Sequence, residues 1–159
     1  MLYNVIEVIT REDFKMLQKE LNQLLSDFYV MYHKLQNYHW YIKGYHFYDD
    51  HEQLEKYYDE MAENADVVAE LMMQIEVHPE ATMKGWLALT KIEEPTNEEI
   101  SSEDAYTHVL KDYKYLLEEI ISVKRAAEKV ECDLVANTMD DFINQFSKNI
   151  WMLRQVVKQ

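Results

Sequence analysis

Six histidines stand in the chain, at His33, His39, His46, His51, His78 and His108. A di-iron site at the centre of a helical bundle draws on Glu-x-x-His from two helices. The residues three before these histidines are Val30, Gln36, Lys43, Tyr48, Ile75 and Ala105, and none is Glu. Metal chemistry in this chain therefore needs another construction. His39 and His51 offer one, because the Gly44 segment between them can fold the ends of two helices together. Asp66 and Glu70 lie further on, four residues apart, so a helix presents both carboxylates on one face. Imidazole with carboxylate suits Fe(II) among several divalent metals.

The elements that must position these groups follow from the apolar pattern. Phe14, Leu17, Leu21, Leu24, Phe28, Tyr32 and Leu35 recur in steps of three and four, behind the capping signal Thr10-Arg11-Glu12-Asp13. This first helix should end near Ile42, where Lys43-Gly44-Tyr45 supplies a stop. A second should start at Asp49 or Asp50, run along Leu54, Tyr58, Met61, Ala65, Val68, Met72 and Ile75, and be ended by Pro79. Residues 81–89 read as a short connecting helix with Met83, Trp86, Leu87 and Leu89. Residues 91–102 are polar, contain Pro95, and read as a loop. A third long helix from about Ser102 carries Ala105, Val109, Tyr113, Leu116, Leu117, Ile120 and Val123. A fourth carries Val135, Met139, Phe142, Ile143, Phe146, Ile150, Leu153 and Val157. Two short connections and one long crossover suit a single all-α domain over residues 1–159, a ferritin-like four-helix bundle with a short extra helix in the long connection.

Composition agrees. The 159 residues hold only 2 Gly and 2 Pro, too few for the turns of a sheet protein, and a single cysteine, Cys132, excludes an internal disulfide framework. The net charge is −14, and residues 51–100 carry 13 acids against Lys56, Lys84 and Lys91. Such a field attracts cations and disfavours nucleic acid and anionic membrane. The segment 1–10 lacks the basic start and small-residue cleavage site of a secretory leader. No apolar run approaches the roughly 18 residues of a membrane span. A cytoplasmic protein is expected.

Helix geometry adds a constraint. His51 and Asp66 are 15 residues apart, about 22 Å along a helix at roughly 1.5 Å per residue. One chain cannot wrap both around one ion. A second chain packed antiparallel could set its acids against the first chain's histidines, and a two-fold axis makes the pairing reciprocal. Ala62, Ala65 and Ala69 would allow close approach there. The plainer reading is that a histidine beside Trp40 is only packed and that the acid pair is only a solvated face.

At these residues the chain resembles a known family. His39-Trp40-Tyr41-Ile42-Lys43-Gly44, then Phe47, His51-Glu52 and Asp66-Val67-Val68-Ala69-Glu70 are similar to the signature of the Dps family, the mini-ferritins. Ile150-Trp151-Met152-Leu153 resembles the family's last helix. The resemblance implies a hollow dodecamer built from two-fold dimers and a ferroxidase centre shared between subunits. By position His39 and His51 match the ligands from one chain, and Asp66 and Glu70 those from the other. These four are the implied catalytic and metal residues. Glu55 matches a position, often Asp, that reaches a second iron; Trp40 matches a tryptophan beside the centre. The implied reaction oxidises Fe(II) to Fe(III) with hydrogen peroxide, preferred over dioxygen, and stores ferric mineral in the cage. Iron is thus the implied metal. An entry pore would be lined by Glu128 and Asp133, with Glu131 nearby, and Asn137 stands where the family often has a further Asp. The alternatives are a non-enzymatic helical shell that uses the 12 Tyr for contacts, and a DNA-binding nucleoid protein. Against the latter, the segment before the first helix has no Lys and the far end offers only Arg154 and Lys158. Purified protein is expected not to retard DNA in a gel shift at low salt and neutral pH; clear retardation would overturn that.

Overall fold

A computed structural model describes residues 10–157. The Lys-free lead segment 1–9, and with it most of the secretory-leader reading, lies outside the described residues, as does Lys158. Helix α1 spans Arg11–Tyr41, α2 Phe47–Gln74, α3 Met83–Leu89, α4 Ser102–Lys129 and α5 Asp133–Val156; two-residue strands β1 (Ile42–Lys43) and β2 (Ile100–Ser101) pair in parallel. This is the expected four-helix bundle with a short helix in the crossover. Thr10 and Asp13 form a reciprocal capping box on α1. Lys129, with Thr10, holds the Asp13 carboxyl down at about 2.

The core follows the predicted stripes. Leu17, Leu21, Leu24, Phe28 and Leu35 of α1 are buried, and Phe28 stacks on Phe146 at 5.8 Å and meets Phe142 edge-on at 5.7 Å, which ties α1 to α5. Each such side chain taken from water contributes about 1.5–3 kcal/mol. Two positions differ from the pattern, and a third, Ala65, follows its stripe but not its other reading as a contact for a neighbouring helix. Phe14 is exposed. Tyr57, not Tyr58, is the buried tyrosine of its turn. Ala65 faces its own core, which leaves only Ala62 and Ala69 half-buried for an approaching neighbour.

Boundaries also differ. Helix α2 starts at Phe47 on His46, with no side-chain cap, so neither Asp49 nor Asp50 is its N-cap. Asp50 instead turns inward and accepts a hydrogen bond from Ser102 Oγ, joining α2 to the start of α4. The same helix ends at Gln74, ahead of Pro79, where Glu76 takes a left-handed φ of 60°. Helix α3 begins at Met83, two residues later than the pattern suggested, and buries none of its side chains fully. It is held by Trp86, which stacks on Tyr29 at 3.7 Å and donates its indole N–H to Glu80 O at 2.7 Å.

The crossover that follows is pinned by a buried carboxylate. Asp27 Oδ1 accepts from Thr90 Oγ1 (2.8 Å) and Lys91 N (2.7 Å), and its Oδ2 accepts from Gln23 Nε2 (3.0 Å) and Tyr115 OH (2.7 Å). Burial first, then the hydrogen bond to Asp27, pushes the Tyr115 hydroxyl up, so it stays a donor. Replacing Asp27 with Ala strands these donors. The expected cost is about 2–4 kcal/mol of stability, read from denaturant unfolding; a loss under half a kcal/mol would contradict the role given to this carboxylate.

Candidate metal centre

The corner between α1 and α2 is built from the bond requirements of helix ends. The last carbonyls of a helix have no partner within it, and His39 O is one of them. His51 Nδ1 meets that oxygen at 2.8 Å, and His39 Nδ1 meets His51 O at 2.8 Å. A carbonyl oxygen can only accept, so both Nδ1 atoms carry hydrogen. In the neutral rings the lone pair then lies on Nε2, the nitrogen left to bind a metal. A backbone carbonyl behind a ligand imidazole orients the ring and raises its basicity.

The two rings stack at 3.6 Å, 18° from parallel. Tyr58 meets the His39 ring edge-on at 5.2 Å, and Phe47 lies against His51 at 5.1 Å. Burial, with the charges of Glu55 and Asp59, raises the Tyr58 hydroxyl above its ordinary value, so the ring beside His39 stays neutral. His39 is 7% exposed and His51 half-buried. Between the helices Gly44 adopts φ 148°, a conformation open to glycine almost alone. Strand β1 then docks on β2, and Lys43 bonds Glu99 at 2.8 Å across the same join.

The structure brings His39 and His51 together and leaves the predicted acids elsewhere. Asp66 and Glu70 are exposed, further along the unbroken α2. Among the described residues no set of three or more His, Cys, Asp or Glu is placed to hold a metal ion. Glu55 is exposed, one turn past His51. Trp40 is 66% exposed, beside a histidine in sequence that is buried. Glu128 and Asp133 are exposed at the α4–α5 corner; Glu128 lies 3.7 Å from Lys124, and Glu131 takes φ 55° there. Asn137 is exposed on the first turns of α5.

Sequence reasoning missed the roles of Phe47 and Tyr58. Phe47 was noted only within a motif and Tyr58 only in a core stripe. A His paired with a His across a short Gly-containing connection, with an aromatic seven residues beyond the second, was the available signal.

A bundle with this topology and this histidine corner is a ferritin-like domain, and the chain matches the family model described as Ferritin-like domain over residues 18–159. Within that fold it belongs to the Dps family. It is 33% identical over 133 residues to the DNA protection during starvation protein of Helicobacter pylori, covering 84% of this chain and 92% of that one. The crystal structure of antigen TpF1 from Treponema pallidum superposes with a TM-score of 0.91 at 32% identity, covering 96% of this chain and 98% of the other. A DPS protein from Vibrio cholerae, described as belonging to the ferritin-like diiron-carboxylate superfamily, gives 0.88 at 26% identity, covering 99% and 98%.

The corner yields a test. Gly44→Ala forces a side chain onto φ 148° and should cost about 1–3 kcal/mol. Thermal unfolding and Zn(II) titration should show lowered stability and weaker metal binding together. Unchanged metal binding in a destabilised protein would detach the Gly44 turn from the histidine pair.

Proposed function

We propose that this chain is an iron-oxidising and iron-storing mini-ferritin. Its centre lies between two subunits: His39 and His51 from one chain and Asp66 and Glu70 from its two-fold mate. The observation that carries the reading is the histidine pair, with both Nδ1 atoms committed to carbonyls and both Nε2 atoms spare. A second observation supports a seam between chains. Trp40, Tyr45 and Tyr48, near the histidine corner, are 66%, 97% and 85% exposed; Val67 and Met73, beside the acids, are 41% and 58% exposed. Large apolar side chains exposed at both ends of one helix suit a partner laid antiparallel along it.

Fe(II) is the substrate. Two ferrous ions each give one electron to one hydrogen peroxide; its O–O bond breaks, two protons are taken up, and two waters form. No one-electron oxygen fragment is released. The imidazoles supply neutral donors and the carboxylates offset the charge gained on oxidation. Ferric product passes to the interior of a dodecamer of about 230 kDa, twelve chains of 19.2 kDa, where it mineralises. Glu55 is the candidate contact to a second iron, and Glu128 and Asp133 are candidates for the entry path. Dioxygen is the slower oxidant. The protein works in the cytoplasm and protects against oxidative damage by removing iron and peroxide, not by holding DNA. No helix among the described residues is long and apolar enough to cross a membrane.

A mixing experiment tests the shared centre. One variant carries His39→Ala with His51→Ala, the other Asp66→Ala with Glu70→Ala. Each alone should lose the fast phase of Fe(II) oxidation by peroxide. Unfolded and reassembled together, the two should regain about a quarter of the wild-type amplitude, because half the dimers are mixed and each holds one intact site. No recovery in mixed particles of full mass would reject a centre divided between chains. A particle of full mass that never oxidises Fe(II) would favour the non-enzymatic shell.

A further inference from the structure

On the side of α1 away from α2, a cavity of about 450 Å³ opens between α1, α4 and the 93–100 loop. That is the volume of a small organic ligand. Its deeply buried lining includes a salt bridge: Lys34 Nζ lies 2.7 Å from Asp112 Oδ2, with the side chains 7% and 11% exposed. Asp112 Oδ2 makes no hydrogen bond beyond that ion pair. A carboxylate has about four acceptor positions, so this one keeps unused capacity at the cavity wall. Beside it Tyr38 OH and His108 Nδ1 satisfy each other at 2.9 Å. Burial, then the charges of Asp112 and Glu93, pushes the Tyr38 hydroxyl up, as expected if both acids face it.

Charge selects the ligand. Six carboxylates line the cavity against Lys34 and Lys111. With Glu99 paired to Lys43 at 2.8 Å, the lining keeps a net of three negative charges. The low-dielectric wall around Asp112 strengthens their field. The acids are spread along a loop and a helix, not gathered; no described set of three is placed to hold a metal ion. Tyr38, Pro95 and Ile100 supply apolar surface between them. Dispersed carboxylates with apolar surface between match ammonium groups separated by methylenes. We infer that this cavity binds a linear aliphatic polyamine, its ammonium groups on Asp112 and the loop acids and its methylenes on Tyr38 and Ile100. The site is separate from the histidine corner and does not rest on the iron reading.

Calorimetric titration of the full-length protein with spermidine, at low salt and neutral pH, tests it. Saturable binding at one ligand per chain is expected. Glu93→Gln with Glu98→Gln should weaken it at least tenfold. Thr96→Trp, which fills the cavity mouth without changing charge, should weaken it by a similar factor. Glu118→Gln, exposed on α4 outside the cavity, should change it less than twofold. Unfolding curves establish that each variant is folded. Three results would overturn the assignment: no saturable binding, equal weakening by Glu118→Gln, which marks diffuse attraction to an acidic surface, or displacement by magnesium at spermidine's own concentration, which marks a divalent-cation site.

Discussion

The reciprocal bonds between His39 and His51 govern the corner where α1 passes into α2. Each imidazole closes on the other's main-chain carbonyl, so one contact does three things. It caps a carbonyl that the end of α1 leaves without a partner. It locks the angle at which α2 departs. It also leaves the Nε2 of each ring as the nitrogen not used by the backbone. Stability and the proposed chemistry share the same two hydrogen bonds. The rings stack because Gly44 lets the chain reverse within five residues of α1, and Phe47 and Tyr58 close the remaining sides.

Asp66 and Glu70, the acids of the proposed centre, are kept apart from the histidines by the stiffness of α2. That helix runs unbroken through His51, Asp66 and Glu70, and no rotation of side chains spans the intervening turns. Whatever joins the two groups must come from outside the chain. The exposed aromatic and apolar residues near both ends of the helix point the same way, since a lone subunit gains nothing by leaving Tyr45 and Tyr48 in water. The proposed function thus rests on the subunit being incomplete.

The long crossover is governed by charge buried in the right place. Asp27 gathers the segment after α3 onto α1 and α4, and further along Lys34 and Asp112 pair beneath the 93–100 loop. Removing one member of such a pair leaves the other buried and unmatched, which costs far more than the pair contributes. The loop that follows Asp27 therefore has a defined path although it carries almost no regular structure, and the cavity under it keeps its shape.

The four long helices were legible because burial repeats every three or four residues, and Leu21, Val68, Val109 and Phe146 report that period directly. The separation of His51 from Asp66 and Glu70 along one helix was legible too, because helix rise is constant. The start of α2 was not: Asp49 and Asp50 look like caps, and only the fold shows that Asp50 is drawn inward by Ser102, fifty-two residues away. Tyr57 and Tyr58 are indistinguishable in a pattern, and packing against His39 decides which one leaves the core. Ala65 fits both its own apolar stripe and a neighbour's close approach, and burial in its own core decides between them. The sequence by itself determined which segments are helical and which side chains are able to bind a metal, because both depend on local spacing. Only the tertiary structure decided that the two imidazoles face each other, which ring nitrogens remain available, and where the crossover is pinned, because those depend on groups distant in the chain meeting in one place.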